Sequence, residues 1–279
     1  TGNGVNLGQT INRVDGPTRV TTGNITAGGT GVVIDSNDNA DNYAISVKTG
    51  DVTTGSTGLA VNQSGTGSLS VETGDIDAGM AAAGGVNGFQ NGGGYGVRLD
   101  SDPHGPTVAG PGGADWNLTT GDITVTNRAT GDFAGVGIGL GTISNGGNGD
   151  TTVTAGNIQA GTGVIYNRNG TGKVSITTGD INATTGNGIQ YGTNVVKNDL
   201  IINTGDITAA GKGITGDTLG SNDVAGVTTI NVGSITSGGD GIDIIHSGTG
   251  AATINATGTI QSDRIGVNVT NDSLTFSPP

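Results

Sequence analysis

The stretch Thr177-Thr178-Gly179-Asp180-Ile181-Asn182-Ala183, followed by Gly188-Ile189-Gln190-Tyr191, decides the fold of this chain. It joins a Gly-Asp pair to two short runs in which apolar and polar residues alternate. Alternation with period two predicts β-strands that bury one face, whereas Gly and Asp predict tight corners between strands. The same order returns at Thr204 to Ala209 and Gly213-Ile214. We therefore expect one three-sided β-coil to repeat along the chain.

The repeat is a Gly, then Asp, Asn, Ser or Thr, then Ile or Val, and it recurs about every 23 to 28 residues, with two longer intervals. Its glycines are Gly23, Gly50, Gly74, Gly121, Gly156, Gly179, Gly205, Gly233 and Gly258. The apolar residues two positions later are Ile25, Val52, Ile76, Ile123, Ile158, Ile181, Ile207, Ile235 and Ile260. Stacked coil on coil, they predict one buried ladder.

A second ladder is expected three residues before each repeat glycine. Eight coils have an apolar residue there, and the last coil has Asn255 instead. The eight are Val20, Val47, Val71, Leu118, Val153, Ile176, Ile202 and Ile230. A third face follows the repeat in segments such as Gly163-Val164-Ile165-Tyr166 and Gly241-Ile242-Asp243-Ile244, which also alternate.

These patterns predict an all-β fold, a right-handed parallel β-helix that forms a solenoid of about nine three-strand coils. Residues 1–279 are expected to form a single domain, with inserted loops at about 79–94 and 102–113. Each coil covers the apolar side of the next, about 4.8 Å away. No segment of comparable length has the period of an amphipathic helix.

Composition excludes several classes of partner. The net charge of −13 would repel nucleic acid and anionic membranes. No run approaches the roughly 18 apolar residues that cross a bilayer, and the sequence begins at Thr1 without a charged n-region or an apolar signal core, so a mature or excised fragment is expected. The 58 glycines and the absence of cysteine leave repetitive stacking as the stabilising principle, which suits a protein exported in an unfolded state.

Repeats of the form Thr-Thr-Gly-Asp-Ile-x-Ala followed by Gly-x-Gly-Ile resemble the passenger domains of Gram-negative autotransporters, over roughly residues 18 to 270. The resemblance implies a domain exported through the outer membrane by a C-terminal β-barrel of the precursor and then displayed on the cell surface or secreted. Residues 259–279 contain no set of membrane strands, so the barrel is expected to lie outside this chain.

The segment Gly238-Gly239-Asp240-Gly241-Ile242-Asp243 fits one nonapeptide of a calcium-binding repeat, but no second copy lies nine residues away. With His246 nearby, the same carboxylates suggest a β-helical polysaccharide hydrolase, although the preceding coil offers Lys212 and no carboxylate. An ordinary corner and strand is the favoured interpretation. We therefore expect no metal, no cofactor and no enzymatic activity.

The corner aspartates, exemplified by Asp51 and Asp180, would line up along one edge and could attract cations. The favoured interpretation is structural, because Asp, like the Asn24 and Asn157 that replace it, accepts backbone N–H bonds at tight turns. The complete set of aspartates is Asp51, Asp75, Asp122, Asp180 and Asp206.

The two insertions are the leading candidate for partner contact, because solenoid recognition usually resides in inserted loops. A third-face strand, Tyr95 to Leu99, is expected between them, and Trp116 after them is expected in the core. The two insertions together are here called the lobe. The candidate binding residues in or beside the lobe are Phe89, Tyr95, Arg98 and His104.

The sequence is compatible with three functions: an extracellular, virulence-type adhesin or receptor-binding effector without enzymatic activity, a polysaccharide-active lyase or hydrolase, and a passive structural stalk. A stalk would have uniform coils, and an enzyme would gather several carboxylates or basic residues in one groove. The lobe without such a cluster favours binding. The expected partner is a host cell-surface protein or glycan, recognised by a monomer.

Overall fold

The computed structural model describes residues 2–7, 17–36, 43–63, 67–79, 94–101, 115–127, 130, 134–142, 149–167, 172–192, 199–217, 226–246 and 250–271. Within these ranges the chain forms strands, turns and bends and no helix, so no helix capable of crossing a membrane occurs in this part of the protein. Of the two insertions predicted from the sequence, the first is described only at its ends, Gly79 and Gly94, and all of the second, 102–113, lies outside the described residues.

The strands in the described ranges are short. The first fourteen are β1 (Val5–Leu7), β2 (Thr18–Thr21), β3 (Ile25–Ala27), β4 (Val32–Ser36), β5 (Ile45–Lys48), β6 (Val52–Thr54), β7 (Leu59–Gln63), β8 (Leu69–Glu72), β9 (Ile76–Gly79), β10 (Tyr95–Ser101), β11 (Trp116–Thr119), β12 (Ile123–Thr126), β13 (Val136–Thr142) and β14 (Thr151–Thr154). The rest are β15 (Ile158–Ala160), β16 (Thr162–Asn167), β17 (Val174–Thr177), β18 (Ile181–Ala183), β19 (Ile189–Tyr191), β20 (Leu200–Thr204), β21 (Ile207–Ala209), β22 (Ile214–Asp217), β23 (Thr228–Val232), β24 (Ile235–Ser237), β25 (Ile242–His246), β26 (Ala252–Ala256), β27 (Ile260–Ser262) and β28 (Val267–Asn271).

Every third strand belongs to the same sheet, and the paired strands are parallel. Sheet A contains β1 and every third strand to β28, sheet B runs from β2 to β26, and sheet C runs from β3 to β27. In the described residues these sheets have ten, nine and nine strands. The prediction of an all-β parallel β-helix with three strands per coil is confirmed.

The predicted isoleucine and valine ladder forms the inner face of sheet C. Ile158, Ile181 and Ile207 pair in direct register, and each is at most 2% exposed. Their neighbours along each strand, such as Asn182, point outward and are only partly covered. Burying one such side chain contributes about 1.5 to 3 kcal/mol. Because the coils share the ladder, each coil is stabilised by its neighbours.

The second ladder forms the inner face of sheet B, and here one expectation is wrong. Asn255 does not interrupt the ladder, because Ile230 pairs with Ile254 and Asn231 pairs with Asn255. The last coil has one extra residue between this strand and Gly258, so counting back three residues reaches an outward position. Ile254 continues the ladder and packs against the core.

The third set of strands is sheet A, as predicted. In β16 the side chains of Val164 and Tyr166 are buried, whereas Ile165 between them faces outward and is half-buried. Trp116 is buried in β11 between Leu69 and Thr151 of the adjacent strands. Its predicted position in the core is confirmed.

Seven corner residues, each an Asp or Asn that follows a repeat glycine, are bonded through the side chain to the next coil. Asp180 Oδ1 accepts a hydrogen bond from the backbone N–H of Asp206 at 2.8 Å, and Asp206 Oδ1 accepts one from Ser234 at 2.6 Å. The same bond links Asn24 to Asp51, Asp51 to Asp75, Asp75 to Asp122, Asp122 to Asn157 and Asn157 to Asp180. The predicted structural role of these corner side chains is confirmed.

This bond explains why glycine precedes the corner residue. A Cβ atom placed on Gly205 would lie 2.1 Å from Oδ1 of Asp180, the corner carboxylate of the preceding coil. In the first coil, where no described residue occupies that place, a Cβ on Gly23 would meet nothing within 4 Å. The glycine of each later coil is therefore required by the corner side chain of the coil before it, which is an Asp or Asn except before Gly258, where it is Ser234.

Candidate functional site

The outer face of sheet A carries the described residues that depart most from the repeat. Two features lie on it: a group of side chains on β10, and a groove that crosses β19, β22, β25 and β28. The faces turned inward on the same strands are mainly apolar, as shown by Val97 and Leu99 in β10, both fully buried. Side chains of the alternate positions are consequently presented outward.

On β10, Tyr95, Arg98 and Asp100 form a compact group, here called the Tyr95 cluster. The Cζ atom of Arg98 lies 5.2 Å from the centroid of the Tyr95 ring, within range of a cation–π contact. Arg98 Nε also donates a hydrogen bond to Asp100 Oδ2. Burial raises the pKa of the Asp100 carboxyl above its ordinary value, and the Arg98 guanidinium partly offsets that rise.

The neighbouring strand β13 explains how this cluster lies flat. Its outward positions opposite Arg98 and Asp100 are Gly139 and Gly141. A Cβ atom on Gly139 would lie 2.7 Å from Cε1 of Tyr95, and one on Gly141 would lie 2.5 Å from Oδ1 of Asp100. The two glycines thus leave room for the ring and the carboxylate against the sheet. Only 14% of the Arg98 side chain is exposed.

Of the four predicted binding residues, the structure brings together Tyr95 and Arg98. Phe89 and His104 lie outside the described residues. Strand β10 begins at Tyr95, directly after the first insertion, and ends at Ser101, directly before the second. The Tyr95 cluster therefore occupies the strand that connects the two insertions. A role in partner contact for these four residues stays a prediction.

Asp240 and Asp243 are both engaged within the protein. Lys212 of the preceding coil donates to Asp243 Oδ2, and its Nζ lies 3.3 Å from Asp240 Oδ2. Asp240 Oδ1 accepts a hydrogen bond from the backbone N–H of Ile265 in the next coil at 3.2 Å, a bond of the same kind at a different corner. The Lys212 ammonium lies between the two carboxylates, where a bound cation would have to compete with it.

Lys212 also favours the charged form of Asp243. Its hydrogen bond to Asp243, above all other influences, lowers the pKa of that carboxyl below its usual range. The same bond raises the pKa of Lys212. Asp243 is therefore ionised at neutral pH, whereas a general acid in glycoside hydrolysis needs a raised pKa.

His246, which sequence reasoning placed near these carboxylates, lies on the other face of β25. It is buried and faces inward, with Nε2 3.0 Å from the carbonyl oxygen of Gly250 and Nδ1 3.3 Å from Thr228 Oγ1. Asp243 occupies an outward position of the same strand. No group of three or more His, Cys, Asp or Glu side chains that could hold a metal ion occurs in the described part of the chain.

Close to Asp243 lies an open groove of about 510 Å³, here called the axial groove. Sequence reasoning missed it, since its residues come from four coils and form no continuous motif. The only signal is the polar character of outward positions in successive third-face strands. The lining residues are Asn187, Gln190, Tyr191, Gly192, Lys212, Thr215, Gly216, Asp243, Ile245, Asn268 and Thr270.

Comparisons with protein-family models, with curated proteins and with solved structures found no match to this chain. The inference of function therefore depends on the fold and on the outer face of sheet A.

Proposed function

We propose that this chain is a non-enzymatic, extracellular binding domain, the passenger of a Gram-negative autotransporter, that recognises a host cell-surface protein or glycan through the outer face of sheet A. The single observation that carries the proposal is the Tyr95 cluster on the strand that connects the two insertions. A uniform stalk would repeat the same outward residues from coil to coil, and β10 does not.

The chemistry of the cluster suits recognition. Tyr and Arg are the residue types enriched where protein interfaces are strongest, because each combines a large contact area with hydrogen-bonding groups. Here Arg98 is held by Tyr95 on one side and Asp100 on the other. A side chain already held in position loses less conformational entropy on binding. The cluster thus offers a rigid base from which the lobe contacts its partner.

The assignment to an exported passenger rests on the repeat resemblance together with the confirmed parallel β-helix. Absence of cysteine and a net charge of −13 are consistent with an exported, monomeric rod that avoids nucleic acid and membrane surfaces. The C-terminal outer-membrane β-barrel of the precursor is the proposed partner in export. Secretion, or display on the bacterial surface, is the proposed location.

The enzymatic alternative is weaker on physical grounds. Asp240 and Asp243 share one ammonium partner, and Asp243 also accepts a hydrogen bond from Asn268 at 2.8 Å. A carboxylate held in its ionised form by two donors is a poor proton donor. His246 faces the core and does not share their surface.

The proposal is tested by measuring how the folded chain binds to host cells when both insertions are trimmed to the length of an ordinary coil. As a matched control, residues 145–148, in another connection from sheet A to sheet B, are removed. Circular dichroism first establishes that both variants keep the parent spectrum. We expect the trimmed variant to lose at least about tenfold in affinity, or about 1.4 kcal/mol, and the control to bind as the parent does. Equal binding by the trimmed variant would refute the proposal.

A further inference from the structure

The axial groove lies three strand positions from the Tyr95 cluster in sheet A, since β13 and β16 separate β10 from β19. It crosses four adjacent strands, β19, β22, β25 and β28. Three steps between strands make it about 14 Å long, at about 4.8 Å a step. Its axis therefore follows the rod and crosses the strands, and each coil contributes a similar segment of wall.

One row of polar side chains follows this axis. Gln190 pairs with Thr215, Thr215 with Asp243, and Asp243 with Asn268, so an amide, a hydroxyl, a carboxylate and a second amide stand in register. Each is partly exposed. Hydrogen-bonding groups consequently recur along the groove at the spacing of the coils.

Hydrogen bonds inside the wall fix the orientation of these groups. Asn187 Nδ2 donates to Gln190 Oε1 at 3.0 Å, and Asn268 Nδ2 donates to Asp243 Oδ1 at 2.8 Å. The amide nitrogen of Gln190 and the amide oxygen of Asn268 then remain to bond a ligand, one as a donor and the other as an acceptor. The Thr215 hydroxyl between them can do either.

The groove is close to electrically neutral. The Lys212 ammonium lies beside Asp240 and Asp243, and Arg264 Nε lies 3.6 Å from Asp240 Oδ1. Two cations thus balance two carboxylates at this site. An anionic ligand finds no excess positive charge there and is repelled by the net charge of the chain, −13. The ligand that fits is uncharged and polar.

We propose that the axial groove binds a neutral, hydroxyl-rich oligosaccharide, extended along the rod axis. Sugar hydroxyls donate and accept at once, as the mixed row requires, and one ring of an extended chain is about as long as the coil step of about 4.8 Å. Ile245 supplies an apolar surface for the C–H face of a ring. This inference deepens the proposed binding function, on which it rests, by adding a site and its ligand class.

Binding should be weak. The Tyr191 ring, which could otherwise stack on a sugar, is 2% exposed. Gly216 stands where a Cβ atom would lie 2.2 Å from that ring, so the ring occupies the space beside it. Contact then depends on hydrogen bonds and Ile245, and we expect a dissociation constant on the order of 1 mM per oligosaccharide.

The test is titration of the folded chain with neutral hexose and N-acetylhexosamine oligomers, followed by NMR, with oligouronates of equal length as a charged comparison. Thr215→Arg places a long side chain in the middle of the polar row. Thr208→Arg is the matched control, on the exposed face of β21 in sheet C of the same coil. Both variants must keep the parent circular dichroism spectrum.

We expect at least one neutral oligomer to bind, Thr215→Arg to weaken its binding at least about tenfold, and Thr208→Arg to leave it unchanged. Failure of every neutral oligomer to bind, equal binding by Thr215→Arg, or tighter binding of oligouronates would overturn the inference. Host-cell binding by the Thr215→Arg variant is measured in parallel. If cell binding that depends on the lobe persists while no saccharide binds, only the groove inference fails.

Discussion

The link between the corner carboxylate of one coil and the glycine of the next predicts that identical substitutions will have opposite effects at equivalent positions. Gly205→Ala introduces a Cβ atom 2.1 Å from Asp180 Oδ1, whereas Gly23→Ala introduces one into open space. Neither glycine has a positive φ, so alanine is conformationally allowed at both. Steric conflict alone should therefore distinguish them.

The magnitudes follow from two opposing effects. Replacing Gly by Ala at a compatible site stabilises the fold by about 0.4 to 1 kcal/mol, because the unfolded chain loses entropy. Overpacking costs about 1 to 3 kcal/mol. We expect Gly23→Ala to be neutral or slightly stabilising. Gly205→Ala should lower the free energy of unfolding by about 1.3 kcal/mol, the difference between the midpoints of the two ranges.

Asp180→Ala supplies the decisive background. It removes the Oδ1 atom that a Cβ atom on Gly205 would meet, at the cost of one hydrogen bond to Asp206 N–H, about 0.5 to 1.5 kcal/mol. In this background, Gly205→Ala should cost about 1 kcal/mol less than in the parent, a positive coupling between neighbouring sites. Urea unfolding of the parent, Gly205→Ala, Asp180→Ala and the double variant, followed by circular dichroism, measures this coupling. Additive effects, or an equal loss for Gly23→Ala, would refute this explanation of the repeat.

Three further predictions concern the core, the Lys212 contact and the last coil. Ile181→Asp, which puts a charge into a ladder position that is 2% exposed, should unfold several coils, whereas Asn182→Asp on the outer face of the same strand should keep the parent melting temperature. Equal melting curves for these two variants would show that the inward register is wrong. Because Lys212 lowers the pKa of Asp243, their contact stabilises the fold above the ordinary carboxyl pKa of 3.8 and is lost as the pH falls through the lowered pKa. The difference in stability between the parent and Asp243→Asn should therefore shrink in strong acid, and a difference in urea midpoint that stays constant from neutral pH to strong acid would contradict this. Backbone amides of β26 to β28 should exchange hydrogen faster than those of β17 to β19, because Ile265, Val267 and Val269 are 48%, 45% and 42% exposed; equal protection in hydrogen-exchange mass spectrometry would contradict this.

Much of the fold could be predicted because its information is local and repeated. Ile158, Ile181 and Ile207 each follow a repeat glycine at the same offset, so their stacking needs no knowledge of long-range contacts. The same reasoning erred in the last coil, where one extra residue displaced the offset and Ile254, not Asn255, occupies the ladder. The pairing of Ile230 with Ile254 shows the ladder position in the last coil, which counting back from Gly258 does not.

Less of the candidate site could be predicted, because its contacts join residues on different coils. The rarity and position of Tyr95 and Arg98 make them candidates in the sequence, but the role of Gly139 beneath the Tyr95 ring depends on the register of β10 with β13. Asp243 was recognised as part of a motif, yet its partner is Lys212 of the previous coil. The axial groove forms where outward residues of four coils lie side by side, and no fixed spacing in the sequence indicates that alignment.

The central claim, that recognition occurs on the outer face of sheet A, can be tested with one set of variants because the chain contains no cysteine. Ile165→Cys, Thr152→Cys and Gln159→Cys place a single thiol on the outward face of sheet A, sheet B or sheet C, all on β14 to β16. Each thiol is then coupled to a maleimide polymer that covers the surrounding surface, and saturable binding to host cells is measured. We predict that polymer at position 165, between the Tyr95 cluster and the axial groove, weakens binding at least about tenfold, while polymer at positions 152 and 159 leaves it unchanged. Recognition by sheet A would be contradicted if polymer on sheet A left binding intact while polymer on sheet B or sheet C abolished it.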